Sequence, residues 1–337
     1  MTDYKLPAIA ALQTMYLGEK EAAAAATATE RGALLGKVKA YKAAIDALRT
    51  MEGPLTKISD FKPPKGVGEK IMKKLEEILA TGGLAAAERM KMKVPDIDSF
   101  EVLTGVHGIG PVKARALIAA GIKSIADLRK AFAADKDLLT DAQTLGLKYY
   151  EAGIQRIPRA EMTQHEGVLL SSIPAGMTGT IVGSYRRGAS NSGDIDMLVT
   201  YNEALSEKAA SAFFKGMVAA LEKRGYITEK LAGGAKKWMG YVRLGAEGTH
   251  RRLDLLLTPP EEYAYAILYF TGSDKFNVAF RRHCLEQGYT LNEHIMKPTG
   301  SKPVPPAMKT EEDIFRFVGL KFVPPTERVD SAQIMTL

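Results

Sequence analysis

Asp194 and Asp196, two positions apart, are the first candidates for chemistry in this sequence. In an extended strand, side chains at i and i+2 point to the same face, so these two carboxylates project together. Close carboxylates repel each other unless a cation lies between them. Oxygen-only ligands of this kind suit Mg²⁺. The spacing therefore predicts a divalent metal site.

A candidate phosphate-binding segment comes directly before these acids. The small residues Gly183 and Ser184 would let backbone N–H groups approach a triphosphate, and Arg187 would neutralise its charge. Ser192 and Gly193, at the predicted start of the strand, complete the candidate set. A phosphate-binding turn beside a two-carboxylate metal site indicates nucleotidyl transfer.

A third acid, Asp254, interrupts the leucine-rich segment 251–257, which otherwise has the pattern of a buried strand. An acid in such a strand is costly unless it is paired or bound to metal. One interpretation is a structural pair of Arg252 with Asp254. The other makes Asp254 the third ligand of a two-metal site, closest to an attacking hydroxyl.

Composition sets wider limits. The chain has 337 residues, of which 46% are hydrophobic, enough for two or more packed units. Its single cysteine, Cys284, excludes a disulfide framework and predicts an intracellular, reducing compartment. No apolar run approaches the length of a membrane span, so no membrane association is expected. The net charge of +7 favours a polyanionic partner.

The elements that would hold these residues change along the chain. Helical periodicity predicts helices over 37–45 and 71–79, and residues 99–150 are also predicted to be helical. The stretch 92–98, which contains Pro95, is predicted to be a linker. From about residue 154, strands alternate with helices, as is typical of an α/β catalytic unit.

Two similar glycine segments precede predicted helices. They are Gly66-Val67-Gly68 and Gly108-Ile109-Gly110. Glycines allow a tight turn whose backbone amides, at a helix N-terminus, can contact a DNA phosphate. Such contacts position a duplex without reading its bases. Both segments are predicted to be helix-hairpin-helix elements.

Together, these residues resemble the DNA polymerase beta-like, family X DNA polymerases, from about residue 30 to the C-terminus. Further matching segments are 148–150, 156–159, 237–240, 269–274 and 291–293. The resemblance implies a multidomain α+β fold, with a helical N-terminal lyase domain containing helix-hairpin-helix elements and then a nucleotidyltransferase-type polymerase domain. The implied parts are 1–93 (lyase-like, first hairpin), 94–153 (duplex-DNA binding, second hairpin), 154–260 (catalytic palm) and 261–337 (nucleotide and nascent base-pair binding).

The resemblance also implies binding residues. Nucleotide contacts fall on Tyr269, Phe270, Gly272, Asp274 and Asn277; without the resemblance, the first two would be interpreted as core aromatics. A monovalent cation, Na⁺ or K⁺, would bind the second hairpin at Thr104, Val106 and Ile109. DNA contacts fall on the hairpin glycines and a further set: Gly66, Gly68, Gly108, Gly110, Lys37, Tyr41, Lys70, Lys237, Arg252, Arg281 and Glu293.

Lysines of the first part are candidates for covalent chemistry. A Schiff-base nucleophile must be a neutral amine, so burial or neighbouring cations must lower its pKa. Lys70 and Lys74 are four residues apart on one predicted helix and share a face. One interpretation is a solvated basic face that only binds DNA. The resemblance makes Lys74, rather than Lys73, the nucleophile, with Lys37 and Lys70 holding a 5′-phosphate.

Five positions depart from the family's pattern. Leu256 replaces an arginine that pairs with a catalytic aspartate in the family's inactive form. Val278 replaces a lysine that packs on the templating base, and His294 replaces a tyrosine near the hinge. Gly36 and Ala86 replace a histidine and a lysine of the lyase pocket, which would weaken 5′-phosphate binding.

The leading hypothesis is a template-directed, gap-filling DNA polymerase of base excision repair with 5′-deoxyribose-phosphate lyase activity. It would use two Mg²⁺ ions, which Mn²⁺ could replace, and dNTP substrates, and would act as a monomer on gapped or nicked DNA. A template-independent terminal transferase is one alternative, although residues 228–236 are too few for the long loop of those relatives. A DNA-binding scaffold without catalysis is another, which the retained acids at 194, 196 and 254 disfavour.

Overall fold

The computed structural model describes residues 2–51, 53–93 and 96–337. The chain divides into two compact units, Met1–Gln143 and Thr144–Leu337. Each unit contains its own hydrophobic core. Within the described ranges, no helix is both long enough and apolar enough to cross a membrane. The finer division into four parts stays a prediction.

The first unit is helical. Short 3₁₀ turns occur at Ile58–Asp60 and Lys136–Leu138. An eighth helix, α8 (Asp141–Lys148), begins in this unit and ends in the second. The other helices are α1 (Lys5–Ala25), α2 (Ala28–Thr50), α3 (Glu69–Thr81), α4 (Ala85–Lys93), α5 (Ile97–Thr104), α6 (Pro111–Ala119) and α7 (Ile125–Ala134).

Helix α1 packs along α2 and also contacts α4. A Cβ atom at Gly18 would lie 2.3 Å from Met90 Sδ, so glycine is what lets α4 approach α1 this closely. Helix α4 extends to Lys93 and α5 begins at Ile97, so the predicted linker 92–98 is too long at both ends. Met92 and Lys93 are good helix formers and continue the helix toward Pro95, which lies outside the described residues.

The two predicted glycine turns have the same construction. Gly66 has φ +93° and Gly108 has φ +84°, values that favour glycine. In each turn, the residue after this glycine donates its backbone N–H to a carbonyl three positions back, over 3.0 Å. Gly68 and Gly110 then form the N-caps of α3 and α6. The prediction that a helix follows each glycine segment is confirmed.

The second unit combines helices with three sheets. Its helices are α9 (Tyr150–Gly153), α10 (Arg159–Leu170), α11 (Gly183–Arg186), α12 (Glu207–Lys223), α13 (Pro260–Thr271), α14 (Asp274–Glu286) and α15 (Glu311–Phe317). Its strands are β1 (Ile157–Pro158), β2 (Met177–Ile181), β3 (Asn191–Ser192), β4 (Ile195–Tyr201), β5 (Ile227–Gly233), β6 (Lys237–Val242), β7 (Arg251–Leu257), β8 (Tyr289–Leu291) and β9 (Met296–Pro298). Two 3₁₀ turns, Pro325–Glu327 and Ser331–Gln333, lie near the C-terminus.

The main sheet has the strand order β2-β4-β7-β6-β5, in which β4 and β7 are parallel and the other pairs are antiparallel. Leu253, Leu255 and Leu257 of β7 pack into the core with apolar residues of α10 and α12. Because side chains alternate along a strand, Arg252 and Asp254 lie on the opposite face. The leucines of the segment 251–257 therefore fix the face on which its acid is presented.

A buried polar pair lies between α10 and the start of β5. His165 is fully buried, and its Nδ1 lies 2.7 Å from the hydroxyl of Tyr226. Its Nε2 is 3.7 Å from Glu161, whose carboxylate binds Arg251 at 2.7 and 2.8 Å. Burial, which the charge of Glu161 only partly offsets, lowers the pKa of His165 to about 4. The histidine is therefore neutral in the folded protein at neutral pH.

Acidification should destabilise the second unit through His165. Its unfolded pKa is about 6.5, so the unfolded chain binds an extra proton between this value and the folded pKa. The free energy of unfolding should fall by about 3 kcal/mol from pH 7 to pH 4, at 1.36 kcal/mol per pKa unit. The fluorescence of Trp238, the single tryptophan and a member of the same core, reports denaturant unfolding. His165→Gln should remove this part of the pH dependence, and an equal slope in both proteins would contradict the prediction.

Candidate active site

Two of the predicted acids meet on neighbouring strands. In the parallel pairing of β4 with β7, Asp196 is the direct partner of Asp254. Asp194 lies one residue before β4, so it precedes the strand in which it was predicted. Asp254 is 9% exposed, in agreement with the predicted buried strand. The sheet register therefore brings together carboxylates that are 58 positions apart in the chain.

Arg252 lies beside this acidic group. Its Nη2 is 2.5 Å from Asp194 Oδ2 and 3.7 Å from Asp254 Oδ2. The predicted structural pair of Arg252 with Asp254 is thus part of a wider contact that also includes Asp194. In the described part of the chain, no three His, Cys, Asp or Glu side chains already stand in a metal-binding arrangement. The guanidinium takes an Asp194 oxygen that a metal ion would otherwise use.

The negative charges of Asp194, Asp196 and Asp254 are nevertheless only partly offset by nearby positive charges. Burial, followed by the negative charges of Asp194 and Asp254, raises the pKa of the Asp196 carboxyl to about 7. The positive charges of Arg252 and Lys237 act in the opposite direction but do not cancel this effect. A divalent cation relieves such repulsion, and carboxylate oxygens are the ligands that Mg²⁺ prefers. The residues present therefore fit a divalent metal ion.

The predicted phosphate-binding segment forms a tight turn against Asp196. Gly183 has φ +61°, and a Cβ atom on it would lie 3.3 Å from Asp196 Oδ2. Both facts favour glycine at this position. Ser184 then donates from Oγ to Ser192 Oγ over 2.9 Å, which joins the two predicted serines. Arg187 donates from Nη1 to the carbonyl of Thr271 over 2.5 Å.

A further arginine, to which the sequence analysis assigned no role, lies at the edge of this segment. Arg156 donates from Nε to Asn191 Oδ1 over 2.8 Å and from Nη2 to the Asn191 carbonyl over 3.1 Å. A Cβ atom on Gly193 would lie 2.9 Å from Arg156 Nη1. Arg156 is thus a second guanidinium beside the predicted phosphate contacts. The signal in the sequence was its place in the matching segment 156–159, directly before β1, which pairs with β3 at Ser192.

A cavity of about 450 Å³ opens beside Asp196. Six predicted nucleotide contacts line it: Arg187, Tyr269, Phe270, Gly272, Asp274 and Asn277. Gly183, Val278 and Arg281 also line it. The rings of Tyr269 and Phe270 meet edge to face with centroids 5.2 Å apart, and neither ring is fully buried. Both residues form part of the cavity wall, and Phe270 also packs against a buried cluster that includes Leu198 and Ile267.

The chain is similar to known proteins along most of its length. Four family models match: a helix-hairpin-helix domain (residues 8–84), the fingers domain of DNA polymerase lambda (101–152), the DNA polymerase beta palm (156–260) and the DNA polymerase beta thumb (266–329). DNA polymerase lambda of Rattus norvegicus is 32% identical over 307 residues, which cover 86% of this chain and 52% of that protein. The chain belongs to the family X DNA polymerases.

A second relative is more distant. DNA polymerase lambda of Arabidopsis thaliana is 26% identical over 310 residues, covering 86% of this chain and 57% of that protein. The chain therefore spans about half the length of the curated relatives it matches. The resemblance and the fold class predicted from the sequence are confirmed.

In this family X polymerase, an ion-pair network next to the cavity was not predicted. Arg186 donates to Glu311 Oε2 over 2.7 Å and to Thr271 Oγ1 over 2.6 Å. Arg328, whose side chain is fully buried, binds the other oxygen of Glu311. The guanidinium of Arg328 also lies 5.4–5.7 Å from the rings of Phe276, Phe315 and Phe322. Glu311 thus joins α11 and α13 to the C-terminal segment.

The remaining DNA-contact candidates of this unit have different surroundings. Lys237 begins β6, and its charge acts on Asp196. Glu293 is 3.9 Å from His294 Nε2, and His294 Nδ1 is 2.7 Å from Glu262. The predicted roles of Lys237, Arg252, Arg281 and Glu293 on DNA stay predictions.

The candidates of the first unit lie on α2, α3 and the glycine turns. Lys70 is exposed, whereas Lys74 is half-buried on the α3 face that contributes Ile71 and Leu75 to the core. Lys73 pairs with Glu69 at 2.9 Å. Tyr41 is buried. The arrangement makes Lys74 the least solvated of the three lysines on α3.

The candidate cation site lies in the second turn. The carbonyl of Val106 accepts the Ile109 N–H over 3.0 Å, and Thr104 Oγ1 donates to the Phe100 carbonyl over 2.7 Å. Gln143 Nε2 donates to the Gly108 carbonyl over 2.9 Å. These bonds fix the turn, and the monovalent cation stays a prediction.

Removing the charge of Glu311 should destabilise the second unit. Glu311→Gln leaves Arg328 buried without its carboxylate, and breaking a buried pair costs about 3–5 kcal/mol. Denaturant unfolding followed by Trp238 fluorescence measures the change. Glu312→Gln, at the exposed neighbouring position, is the matched control and should have almost no effect. Equal stability of the two variants would show that Glu311 does not hold the network together.

Proposed function

We propose that this family X polymerase is a template-directed DNA polymerase that fills short gaps during base excision repair. The observation that carries the proposal is the in-register placement of Asp196 beside Asp254, with Asp194 next to them. The phosphate turn at 183–187 and the cavity lined by Tyr269 and Asp274 adjoin the same acids. A metal site, a triphosphate site and a nucleotide cavity thus share one compact unit.

The acids would hold two divalent ions, Mg²⁺ or Mn²⁺, with Asp194 and Asp196 contacting both and Asp254 only the ion nearest the primer. When bound, these ions would activate the primer 3′-hydroxyl and stabilise the charge that develops on the α-phosphate and pyrophosphate. Asp254 would accept the hydroxyl proton on a carboxylate oxygen. Arg252 would release Asp194 as the site fills, since one oxygen cannot serve both partners fully.

Other side chains would position the dNTP. Ser184, Ser192 and the Gly193 backbone would bind the triphosphate, with Arg187 and Arg156 neutralising its charge. Tyr269 and Phe270 would lie against the sugar and disfavour ribonucleotides, and Asp274 and Asn277 would contact the base. Gapped DNA would bind through phosphate contacts that depend on salt and little on sequence.

The structure of the β5–β6 hairpin favours template-directed synthesis over terminal transfer. Strand β5 ends at Gly233 and β6 begins at Lys237, so only residues 234–236 connect them. A three-residue turn has no room for the long loop that occupies the template site in terminal transferases. This observation supports a site that leaves the template path open.

The role of Asp254 is testable on a gapped substrate. Asp254→Ala should abolish extension of a 5′-labelled primer across a one-nucleotide gap, because the ion nearest the primer would lose one of its carboxylate ligands and the hydroxyl would lose its proton acceptor. Binding of Mg-dNTP should be largely kept, since Asp194 and Asp196 remain. Offering each dNTP singly tests template direction, and Glu286→Ala, on an exposed part of α14, is the control.

Near-normal extension by Asp254→Ala would refute the assignment. Extension with all four dNTPs regardless of the templating base would favour terminal transfer. DNA binding without any extension by the unmutated protein would favour a scaffold.

We also propose a 5′-deoxyribose-phosphate lyase activity in the first unit, through Lys74. The half-buried position of Lys74 on α3 supports this choice over Lys70, which is exposed, and Lys73, which pairs with Glu69. The Nζ of Lys74 would attack C1′ of the sugar, and the resulting adduct would lose water to form an imine. Loss of a C2′ proton would then break the C3′–O bond and leave a 5′-phosphate on the downstream strand. Water would hydrolyse the remaining imine, which frees Lys74 and releases the sugar phosphate.

Borohydride should trap a covalent adduct on a preincised abasic site by reducing this imine. Lys74→Ala should lose most of the adduct yet keep gap filling, because the polymerase residues lie in the other unit. Lys73→Ala is the matched control. Undiminished trapping in Lys74→Ala would move the nucleophile to another lysine, and no trapping at all would leave a DNA-binding domain only.

A further inference from the structure

Lys37, a candidate ligand of the 5′-phosphate, already has an anionic partner. Its Nζ lies 3.2 Å from both carboxylate oxygens of Glu19, in a salt bridge between α2 and α1. The side chain of Glu19 is 12% exposed, whereas that of Lys37 is 56% exposed. Most of the Glu19 side chain is thus covered by protein, and Lys37 supplies the positive charge that pairs with its carboxylate.

The charge of the Glu19 carboxylate also acts on Tyr41. Tyr41 lies one helical turn after Lys37 on α2 and is buried in the core of the first unit. Burial, followed by the negative charge of Glu19, raises the pKa of Tyr41 to about 12. Glu19 therefore acts electrostatically on both residues of α2 that were assigned to the DNA 5′ end.

The salt bridge between Glu19 and Lys37 differs from the one between Glu69 and Lys73. Lys73 and Glu69 are 2.9 Å apart, but their side chains are 70% and 80% exposed, so water screens their attraction. The Glu19 side chain is only 12% exposed, so water screens the attraction between Glu19 and Lys37 less than it screens that between Lys73 and Glu69. A ligand that takes Lys37 must therefore overcome this attraction.

We propose that Glu19 is a built-in competitor of the 5′-phosphate for Lys37 and so sets how strongly the protein distinguishes phosphorylated from unphosphorylated 5′ ends. The proposal rests on the proposed binding of a 5′-phosphate at Lys37. A terminal phosphate carries a charge of about −1.5 to −2, so it is attracted by Lys37 and has to displace Glu19 from the lysine. Binding exchanges one anion for another, and the net gain from Lys37 is reduced.

The test measures affinity for a one-nucleotide-gapped duplex with and without the downstream 5′-phosphate, by fluorescence anisotropy of labelled DNA. The dissociation constant of the unphosphorylated duplex, divided by that of the phosphorylated duplex, measures the contribution of the phosphate. Glu19→Gln, which keeps the side-chain shape and removes the charge, should raise this ratio about threefold to tenfold, the effect of a pair energy near 1 kcal/mol. Glu69→Gln is the matched control and should leave the ratio unchanged.

The double variant decides the mechanism. Glu19→Gln combined with Lys37→Ala should return the ratio to that of Lys37→Ala alone, because the competitor acts only through the lysine. A ratio that stays the same or falls in Glu19→Gln overturns the inference, as does an increase that persists without Lys37. Thermal unfolding of each variant confirms that the first unit remains folded.

Failure of the inference is distinguishable from failure of the proposed function. Primer extension and borohydride trapping on the same preparations report the polymerase and lyase activities independently of the ratio. If both activities are present and the ratio does not respond to Glu19→Gln, only the competitor role is refuted. If Lys37→Ala and Glu19→Gln both leave the ratio unchanged, the 5′-phosphate assignment of Lys37 fails with it.

Discussion

The repulsion between carboxylates that the parallel pairing of β4 with β7 forces together is the constraint on which this structure depends. The register places Asp196 directly beside Asp254, and the leucines on the other face of β7 hold that register through the core. A shift by one residue would turn Asp254 into the core. Apolar packing thus holds together two carboxylates that their mutual repulsion alone would separate.

The surrounding residues respond to this charge. Arg252 contacts Asp194, Lys237 acts on Asp196 from β6, and the pKa of Asp196 is still raised. Gly183 brings backbone close to the same acid without a side chain in the way. The positive groups near the acids are therefore too few to neutralise them, which leaves a site complementary to cations and to a phosphate that arrives with them.

Local patterns were sufficient to predict much of this. Three features can be recognised within a few residues of sequence. They are the two-residue spacing of Asp194 and Asp196, the acid among the leucines of β7, and the glycines at 66 and 108. Even there, Asp194 lies just outside its strand, and α4 continues further toward Pro95 than expected.

Long-range pairs could not be predicted in this way. Glu311 and Arg186 are 125 positions apart, and Glu19 and Lys37 belong to different helices. In the sequence, these residues have the appearance of ordinary surface charges, because nothing local distinguishes a buried partner from a solvated one. Arg156 had a motif but no partner until β1 was seen to pair with β3. Only tertiary packing decides which charges meet.

The two consecutive arginines at the end of the phosphate turn have a mechanical consequence. Arg186 donates hydrogen bonds to Glu311 and to Thr271 Oγ1, and Arg187 donates one to the Thr271 carbonyl. Two neighbouring side chains therefore bind the same end of α13. A displacement of α13 or α15 would therefore act on both arginines, which are joined by a single peptide unit. The position of these helices and the direction of the Arg187 side chain are thus coupled through Thr271.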